Sequence, residues 1–267
     1  MRKKIVHIIN SMAMGGAETL LANSLAPGGL QDLADNTVIY FQGESALLER
    51  LDKNVQQLCL DYRGYAKLPQ TITKLRKWLQ EIKPDVVHSH LNPAGLYTHW
   101  ACPPAIPQVH TLHTTYSMDK ETGWLKRMLE KQFYFRQKNC NLVFLSEYTR
   151  NDFMQQVPFR GKSFVLNNFV PDIFFKDTAK VYNPEKKELK LIAVGRLSPV
   201  KNFEYLLDVF SLLKDKPVYL DIYGAGDAGP YQQRIDAENL QVRMMGPCND
   251  IAAVLPAYDC FILPKNI

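Results

Sequence analysis

Two basic residues in the stretch GRLSPVKN, residues 195–202, have the types and spacing to bind an anion. Arg196 follows a buried strand pattern that ends at Gly195, and the carboxyl ends of such strands form the usual ligand edge of an α/β sheet. Lys201 is expected at the start of the next helix, where the positive helix terminus disfavours a lysine unless an anion is bound there. Arg donates two hydrogen bonds to phosphate oxygens and Lys adds a compact charge, so phosphate is the expected ligand. The alternative is a solvated surface pair.

A glycine-rich turn, YGAGDAG, places Gly224, Gly226 and Gly229 in the G-x-G-x-x-G spacing of dinucleotide-binding proteins. The turn follows the second strand of its domain instead of the first, and the next strand ends in Met245 and Gly246 with no carboxylate to hold a ribose. These two departures argue against a nicotinamide or flavin dinucleotide. A glycine turn that begins a helix is the simpler interpretation.

A glycine pair, Gly15 and Gly16 in SMAMGGAE, comes directly after the first predicted strand. Glycines at a strand-to-helix turn let the backbone approach a ligand closely, and the free N–H groups of the following helix favour phosphate. A tight turn that needs glycine only for packing explains the pair equally well.

Four histidines lie at the ends of two predicted strands. They are His88 and His90 in VHSH, and His110 and His113 in VHTLH. His88 and His90 are two residues apart and therefore share one face of their strand. No cysteine pair, Asp or Glu lies near them at ligand spacing, so the sequence predicts no metal site. Structural roles are expected for three of them, and His113, which begins a loop, is the candidate for ligand binding.

The composition describes an ordinary globular protein, with 46% hydrophobic and 22% charged residues. The net charge of +5 is too small and too diffuse to indicate nucleic acid binding, but it suits anionic small molecules or an anionic membrane surface. The five cysteines are unpaired in spacing, which favours a reduced, cytoplasmic compartment. No stretch has the length needed to cross a membrane.

Strand-like and helix-like segments alternate along the whole chain, which predicts parallel sheets with helices on both faces. The longest predicted helices span 68–82 and 123–138. A polar, lysine-rich break at about 172–188 separates two series of elements. We therefore predict an N-terminal Rossmann-like domain over 1–175 and a second α/β domain over 188–267. The last strand pattern, DCFILP, is apolar and is followed only by KNI, so the second domain is expected to be incomplete.

Taken together, GGAE, GRLSPVKN, IYGAGD and MMGPCND resemble motifs of the family-4 retaining glycosyltransferases. The resemblance runs the length of the chain, and the Arg and Lys of GRLSPVKN are its most specific part. It implies the GT-B architecture of two Rossmann-like domains, and transfer of a hexose or N-acetylhexosamine from a nucleotide-sugar. That donor is a substrate, and no cofactor or metal is implied.

The resemblance also implies roles for individual residues. Arg196 and Lys201 would hold the donor diphosphate, and His113 would bind the donor sugar. The remaining residues that it implicates in substrate binding are Gly15, Gly16, Glu18, Gly224, Gly226, Gly246 and Pro247. The first glycine pair would approach the diphosphate or the transferred sugar, and the glycines of the second domain would shape the nucleotide pocket. Backbone around Gly246 and Pro247 would meet the base. Glu18 would serve either the acceptor side or the helix start.

One departure from the family pattern concerns the end of the sequence. The family has two glutamates, seven residues apart, after the strand that corresponds to CFILP, and the sequence ends before that segment. We therefore expect a fragment of a longer protein or a truncated gene product, with weak or no activity on its own.

The acceptor implied by the resemblance is a cell-surface polysaccharide or a lipid-linked glycan. A cytoplasmic protein with peripheral contact at the inner face of the cell membrane would suit such an acceptor. Two alternatives stay open: a nucleotide-binding partner subunit without catalysis, and a sugar-nucleotide epimerase of the same architecture.

Overall fold

A computed structural model describes residues 2–43, 45–118, 128, 131–132, 140–175 and 187–264. The chain divides into two compact units, Met1–Phe169 and Val170–Ile267. Most of the helix predicted over 123–138, most of the predicted break and the final KNI lie outside the described residues.

The first unit contains a seven-stranded parallel sheet in the order β3-β2-β1-β4-β5-β6-β7. Its strands are β1 Lys3–Ile9, β2 Ala34–Tyr40, β3 Gln56–Cys59, β4 Val86–His90, β5 Gln108–Leu112, β6 Cys140–Phe144 and β7 Ser163–Val165. The α-helices of this unit whose bounds the structure gives are α1 Gly16–Ser24, α2 Leu68–Ile82, α3 Ala94–Ala101 and α4 Glu147–Gln156. The sheet order steps outward from β1 in both directions, as in Rossmann-like domains.

Helix α2 shows how the sequence pattern produces one of the covering helices. Its apolar face carries Leu75 and Leu79, both fully buried in a cluster with Val6 and Ile8 of β1. Pro69 lies in the first turn, where its missing N–H costs no helical hydrogen bond. Lys83 ends the helix in a left-handed conformation with φ of 50°. The apolar pattern predicted a helix over 68–82, and the structure gives the helix these same bounds.

Helix α4 was not predicted, because its sequence EYTRNDFMQQ is polar and only Phe153 is buried. Its signal is a capping box. The Ser146 hydroxyl accepts from the Thr149 backbone N–H at 3.2 Å, and the Thr149 hydroxyl accepts from the Ser146 N–H at 3.2 Å. A capped start thus marks a helix that apolar periodicity does not show.

The second unit contains a four-stranded parallel sheet in the order β10-β9-β8-β11. Its strands are β8 Leu189–Val194, β9 Val218–Tyr223, β10 Val242–Gly246 and β11 Cys260–Phe261. Its helices in the described residues are α5 Phe203–Ser211, α6 Gly229–Glu238 and α7 Ile251–Val254. Phe203, Leu207 and Phe210 of α5 pack with Ala193 and Ile222 of the sheet to form the core.

A buried carboxylate ties the second sheet together. Asp221 of β9 is 3% exposed and accepts two hydrogen bonds of 2.7 Å from Arg243 of β10. The Tyr258 hydroxyl, just before β11, donates to the same carboxylate at 2.6 Å. Burial, followed by these contacts, raises the pKa of Tyr258 far above its usual value. A buried charge is tolerated because it is paired and hydrogen-bonded.

Both units therefore have the predicted α/β class with parallel strands. None of the helices in the described part of the chain is both long enough and apolar enough to traverse a bilayer.

Candidate functional site

The turn after β8 carries the two predicted cations. Beyond the end of the strand, the Gly195 N–H donates to Tyr223 O at 2.9 Å and the Leu197 N–H donates to Ala225 O at 2.8 Å. These bonds fix the backbone on both sides of Arg196, whose side chain is exposed. Arg196 is therefore held at the carboxyl end of β8, as predicted.

Lys201 belongs to the same turn, but not to the helix in which it was expected. It ends a 3₁₀ turn over Pro199–Lys201, and α5 begins two residues later, after Asn202 in a left-handed conformation with φ of 53°. Its side chain runs back along the turn, with Cδ and Cε 3.4 Å from the point that a Cβ on Gly195 would occupy. The lysine stem thus returns to the residue next to Arg196.

Neither cation is neutralised by a residue in the described part of the chain. Among the residues that the structure describes, no carboxylate forms an ion pair with Arg196 or Lys201, and neither side chain makes a hydrogen bond. The basic residues Arg234 and Arg243 of the same unit are both paired with carboxylates. Two unpaired cations on one rigid turn form a site suited to a multiply charged anion.

Gly224 and Gly226 allow a second loop to pack against this turn. A Cβ on Gly224 would overlap the carbonyl oxygen of Gly195, and one on Gly226 would lie 2.7 Å from the Leu197 Cβ. Gly226 also has φ of 136°, which side chains disfavour. The G-x-G spacing is therefore required by contact with the 195–197 segment.

Gly246 extends the same backbone network to the third strand. Its carbonyl accepts from the Gly224 N–H at 2.9 Å, and its φ is 74°. A Cβ at this position would meet open space within 4 Å. Gly195, Gly224 and Gly246, together with the following Pro247, thus lie at the joined carboxyl ends of β8, β9 and β10.

The glycine pair in the first unit has a different environment. Gly15 is the N-cap of α1 and Gly16 is its first residue, which is exposed and has open space at its Cβ position. The Glu18 carboxylate folds back so closely that a Cβ on Gly15 would overlap it. A carboxylate in the first helical turn stabilises the positive helix terminus, which supports the helix-start role of Glu18. Its acceptor-side role stays a prediction.

His113 lies at the end of a chain of imidazoles inside the first unit. His90 Nδ1 is 3.4 Å from His113 Nε2, and His90 Nε2 is 3.4 Å from His7 Nδ1. His7 Nε2 is 3.1 Å from Asn36 Oδ1. His88 bonds separately to the Thr111 hydroxyl at 2.8 Å.

Burial keeps these imidazoles neutral. It lowers the pKa of His113 and of His7 to about 4, and holds the pKa values of His88 and His90 well below their usual range. His113 can therefore exchange hydrogen bonds with a ligand at neutral pH but supplies no positive charge.

His110 lies near this chain but makes its hydrogen bond to a different residue. Its Nδ1 is 2.9 Å from the Ser89 hydroxyl, and its ring fills the space beside Gly95, where a Cβ would overlap it. This position agrees with the structural role expected for His110. The sequence did not single out His7, because nothing in the run KKIVHIIN shows that it pairs in register with His88.

Comparison with known families gives two matches that follow each other along the chain. A family model described as Glycosyltransferase Family 4 matches residues 14–172, and one described as Glycosyl transferases group 1 matches residues 188–266. The curated proteins contain no match to the sequence.

Solved structures resemble the chain over nearly its whole length. A glycosyltransferase from Rickettsia africae has a TM-score of 0.74 at 18% identity, covering 99% of this chain and 73% of its own. Anabaena HepE in complex with UDP and glucose has a TM-score of 0.71 at 19% identity, with coverages of 97% and 73%. A UDP-GlcNAc 2-epimerase from Methanocaldococcus jannaschii has a TM-score of 0.58 at 13% identity, with coverages of 94% and 75%. At these identities the likeness shows the fold, which is the predicted GT-B architecture.

Proposed function

The chain belongs to glycosyltransferase family 4, and from that membership we propose that it transfers a sugar from a nucleotide-diphosphate donor with retention of anomeric configuration. The observation that carries the proposal is the pair of unneutralised cations, Arg196 and Lys201, on the turn after β8. A diphosphate is the charged group common to such donors. Support also comes from the HepE structure, which contains UDP.

The chemistry follows from where charge develops. As the bond between the sugar and the diphosphate breaks, negative charge grows on the leaving diphosphate. Fixed positive groups aimed at that position stabilise the transition state, each by roughly 10²–10³ in rate. Arg196 and Lys201 would supply this stabilisation from a turn whose backbone is held by hydrogen bonds to Tyr223 and Ala225.

The remaining residues of the second unit would shape the nucleotide pocket. Gly224 and Gly226 would hold the cationic turn in place by close packing, as their contacts with Gly195 and Leu197 suggest. Gly246 has open space beside it, and the backbone at Gly246 and Pro247 would there meet the base.

In the first unit, His113 would form hydrogen bonds with the donor sugar as a neutral imidazole, consistent with its lowered pKa. Gly15 and Gly16 would let the backbone approach the diphosphate or the transferred sugar. The folded-back Glu18 carboxylate brings negative charge to this turn and opposes anion binding there.

Calorimetric titration of the 267-residue chain with UDP and with GDP tests the proposal. We expect binding of one of them, weakened about 10–100-fold by either Arg196→Ala or Lys201→Ala, because a hydrogen bond to a charged group contributes about 1.5–3 kcal/mol. The double variant should bind more weakly still. Lys216→Ala removes an exposed cation elsewhere in the same unit and should leave the affinity unchanged. Equal affinities of the double variant and the wild type would refute the proposed site.

Product analysis separates the proposed activity from its alternatives. Incubation with UDP-GlcNAc should give a new glycoside only when acceptor is present, and NMR of its anomeric proton would report retention. An altered sugar nucleotide without acceptor would indicate an epimerase, an activity found in the M. jannaschii protein of similar fold. Nucleotide binding without any product would indicate a non-catalytic partner subunit.

The proposed acceptor is a cell-surface polysaccharide or a lipid-linked glycan. A cytoplasmic protein with peripheral contact at the inner membrane face would meet such an acceptor, and the net charge of +5 agrees with an anionic surface. Co-sedimentation with phosphatidylglycerol vesicles, compared with neutral phosphatidylcholine vesicles, measures this contact.

A further inference from the structure

Three histidines of the first unit converge between two neighbouring strands. His7 of β1 pairs in register with His88 of β4, and His90 projects from the same face of β4 two residues later. One ring nitrogen of each histidine can be chosen so that the three nitrogens lie within 4.8 Å of one another. From sequence alone the His88–His90 pair lacks a third ligand, and the neighbouring strand supplies it.

One edge of this cluster already has the spacing of a coordination shell. His7 Nδ1 and His90 Nε2 are 3.4 Å apart. Two nitrogens that bind the same tetrahedral zinc ion at about 2.0–2.1 Å are separated by about 3.4 Å. The two rings therefore need no rearrangement of the strands to share an ion.

The outer nitrogens of two of the rings have partners that leave the inner nitrogens as ligands. Asn36 Nδ2 donates to Gln31 Oε1 at 3.0 Å and to Ala34 O at 2.9 Å, so Asn36 Oδ1 is the atom that accepts from His7 Nε2. His7 Nδ1 is then unprotonated in the neutral ring. The Thr111 hydroxyl can hold His88 Nε2 in the same way, at 2.8 Å. Metal-binding histidines have this arrangement, in which the second nitrogen donates to a polar neighbour.

The third ring completes the pattern through His113. With His90 Nδ1 donating to His113 Nε2 at 3.4 Å, His90 Nε2 presents a lone pair toward His7 Nδ1. Two facing lone pairs repel each other, and a cation between them converts that repulsion into two bonds. In that tautomer, an ion between His7 Nδ1 and His90 Nε2 gives both nitrogens a partner.

We propose that His7 Nδ1, His88 Nδ1 and His90 Nε2 bind a zinc ion, with Asn36 and Thr111 as the outer partners. A ligand set of imidazoles suits zinc and similar transition-metal ions, whereas magnesium and calcium prefer oxygen ligands. The proposed site belongs to the first unit and does not depend on the nucleotide site proposed at Arg196 and Lys201.

Metal titration of the purified 267-residue chain tests the proposal. After chelator treatment and dialysis, calorimetry should show one zinc ion per chain and no binding of magnesium. Cobalt substitution should give the visible absorption bands of a tetrahedral site. His90→Gln should weaken zinc binding at least 100-fold, whereas His99→Gln, which alters a histidine of α3 outside the three-histidine cluster, should leave the affinity unchanged.

A pair of buried threonines gives a test that does not depend on removing a ligand. Thr111→Val deletes the hydroxyl that holds His88 and should weaken zinc binding about 10–100-fold. Thr98 is equally buried, and its hydroxyl bonds to Ala94 O within α3, so Thr98→Val should bind zinc as the wild type does. Both variants keep the shape of the side chain, so their folds can be compared by circular dichroism.

The outcomes divide cleanly. A folded wild-type chain without stoichiometric zinc binding overturns the proposal, and so does zinc binding that survives His90→Gln in a folded variant. If His90→Gln fails to fold, the threonine pair decides: equal affinities in Thr111→Val and Thr98→Val would mean that the cluster is held by hydrogen bonds alone.

Discussion

The two units place a turn and a helix after their first strands, β1 and β8, yet the two turns carry opposite charge. The turn in the first unit contains Gly15 and Gly16, with the Glu18 carboxylate folded over it. The turn in the second unit presents Arg196 and Lys201 without a carboxylate partner among the described residues. Equivalent positions in one topology thus offer an acidic surface in one unit and a basic surface in the other.

The titratable groups are divided in the same way. All six histidines of the chain lie in the first unit. Four of them are neutral and lie near the ends of β1, β4 and β5, namely His7, His88, His90 and His113. An α/β sheet thus determines where a site can be, whereas the residues of the turn determine which ligand charge it accepts.

One glycine-to-alanine substitution for each turn compares the two turns directly. The substitution in the second unit, Gly224→Ala, should have the largest effect on stability. Gly224→Ala would place a Cβ on the Gly195 carbonyl oxygen and push the cationic turn away from its neighbour. We expect a loss of about 1–3 kcal/mol in the free energy of unfolding of the second unit, together with weaker nucleotide binding. Hydrogen exchange of the β8 and β9 amides measures that loss.

Gly16→Ala is the matched change in the first unit. Its Cβ position is open and lies in the first turn of α1, so alanine should stabilise that unit by about 0.4–1 kcal/mol through the unfolded state. Equal effects of the two alanines on stability would show that the close packing at Gly224 has no energetic importance.

Lowering the pH should reduce the free energy of unfolding of the first unit more than that of the second. Burial, together with His113 nearby, lowers the pKa of His110 to about 3, whereas an unfolded histidine has a pKa near 6.5. Between these values only the unfolded state binds the proton, so stability falls as the pH drops through 6.5 toward 3. From about pH 6.5 to about pH 4.5 the loss from His110 alone should be about 2 kcal/mol. The three tryptophans all lie in the first unit, so their fluorescence during urea unfolding reports this change.

His110→Gln removes the group that titrates. It should therefore reduce the pH-dependent loss of unfolding free energy by about 2 kcal/mol between about pH 6.5 and about pH 4.5. The second unit contains no histidine, and the hydrogen exchange of its β8–β10 amides, corrected for the intrinsic effect of pH, should change less. Identical pH slopes in the wild type and the variant would contradict the assigned pKa.

Much of this architecture could be predicted from the sequence, because the apolar periods are strong. The helix over 68–82 has the predicted boundaries, and the strand β10 ends at Gly246 as predicted. The strand ends that hold Arg196 and His113 could also be found, since β-rich runs ending in polar residues mark the carboxyl edge of a parallel sheet.

What could not be predicted depends on contacts between distant segments. Lys201 was expected in a helix, but Asn202 adopts a left-handed conformation that delays the helix start and turns the lysine back onto Gly195. The role of His7 depends on the register of β1 against β4, which no local pattern encodes. The spacing of Gly224 and Gly226 was visible, but its cause, contact with the 195–197 segment, required the fold.

The smallest effect, and the sharpest test of the charge difference, concerns Glu18. Glu18→Gln removes a carboxylate from the first turn of α1 and should destabilise the first unit by about 0.3–1 kcal/mol. Glu81→Gln is the matched control, because Glu81 lies in the last turn of α2, where the helix dipole disfavours a carboxylate. Its exposed ion pair with Lys77 contributes little, so the change should be close to neutral. If Gly15 and Gly16 contact the donor diphosphate, Glu18→Gln should also tighten UDP or GDP binding several-fold, since it removes a negative charge beside the ligand. If stability falls as expected but the nucleotide affinity is unchanged, the role of Glu18 and its glycine turn is to start the helix. The turn after β8 would then bind the anion alone.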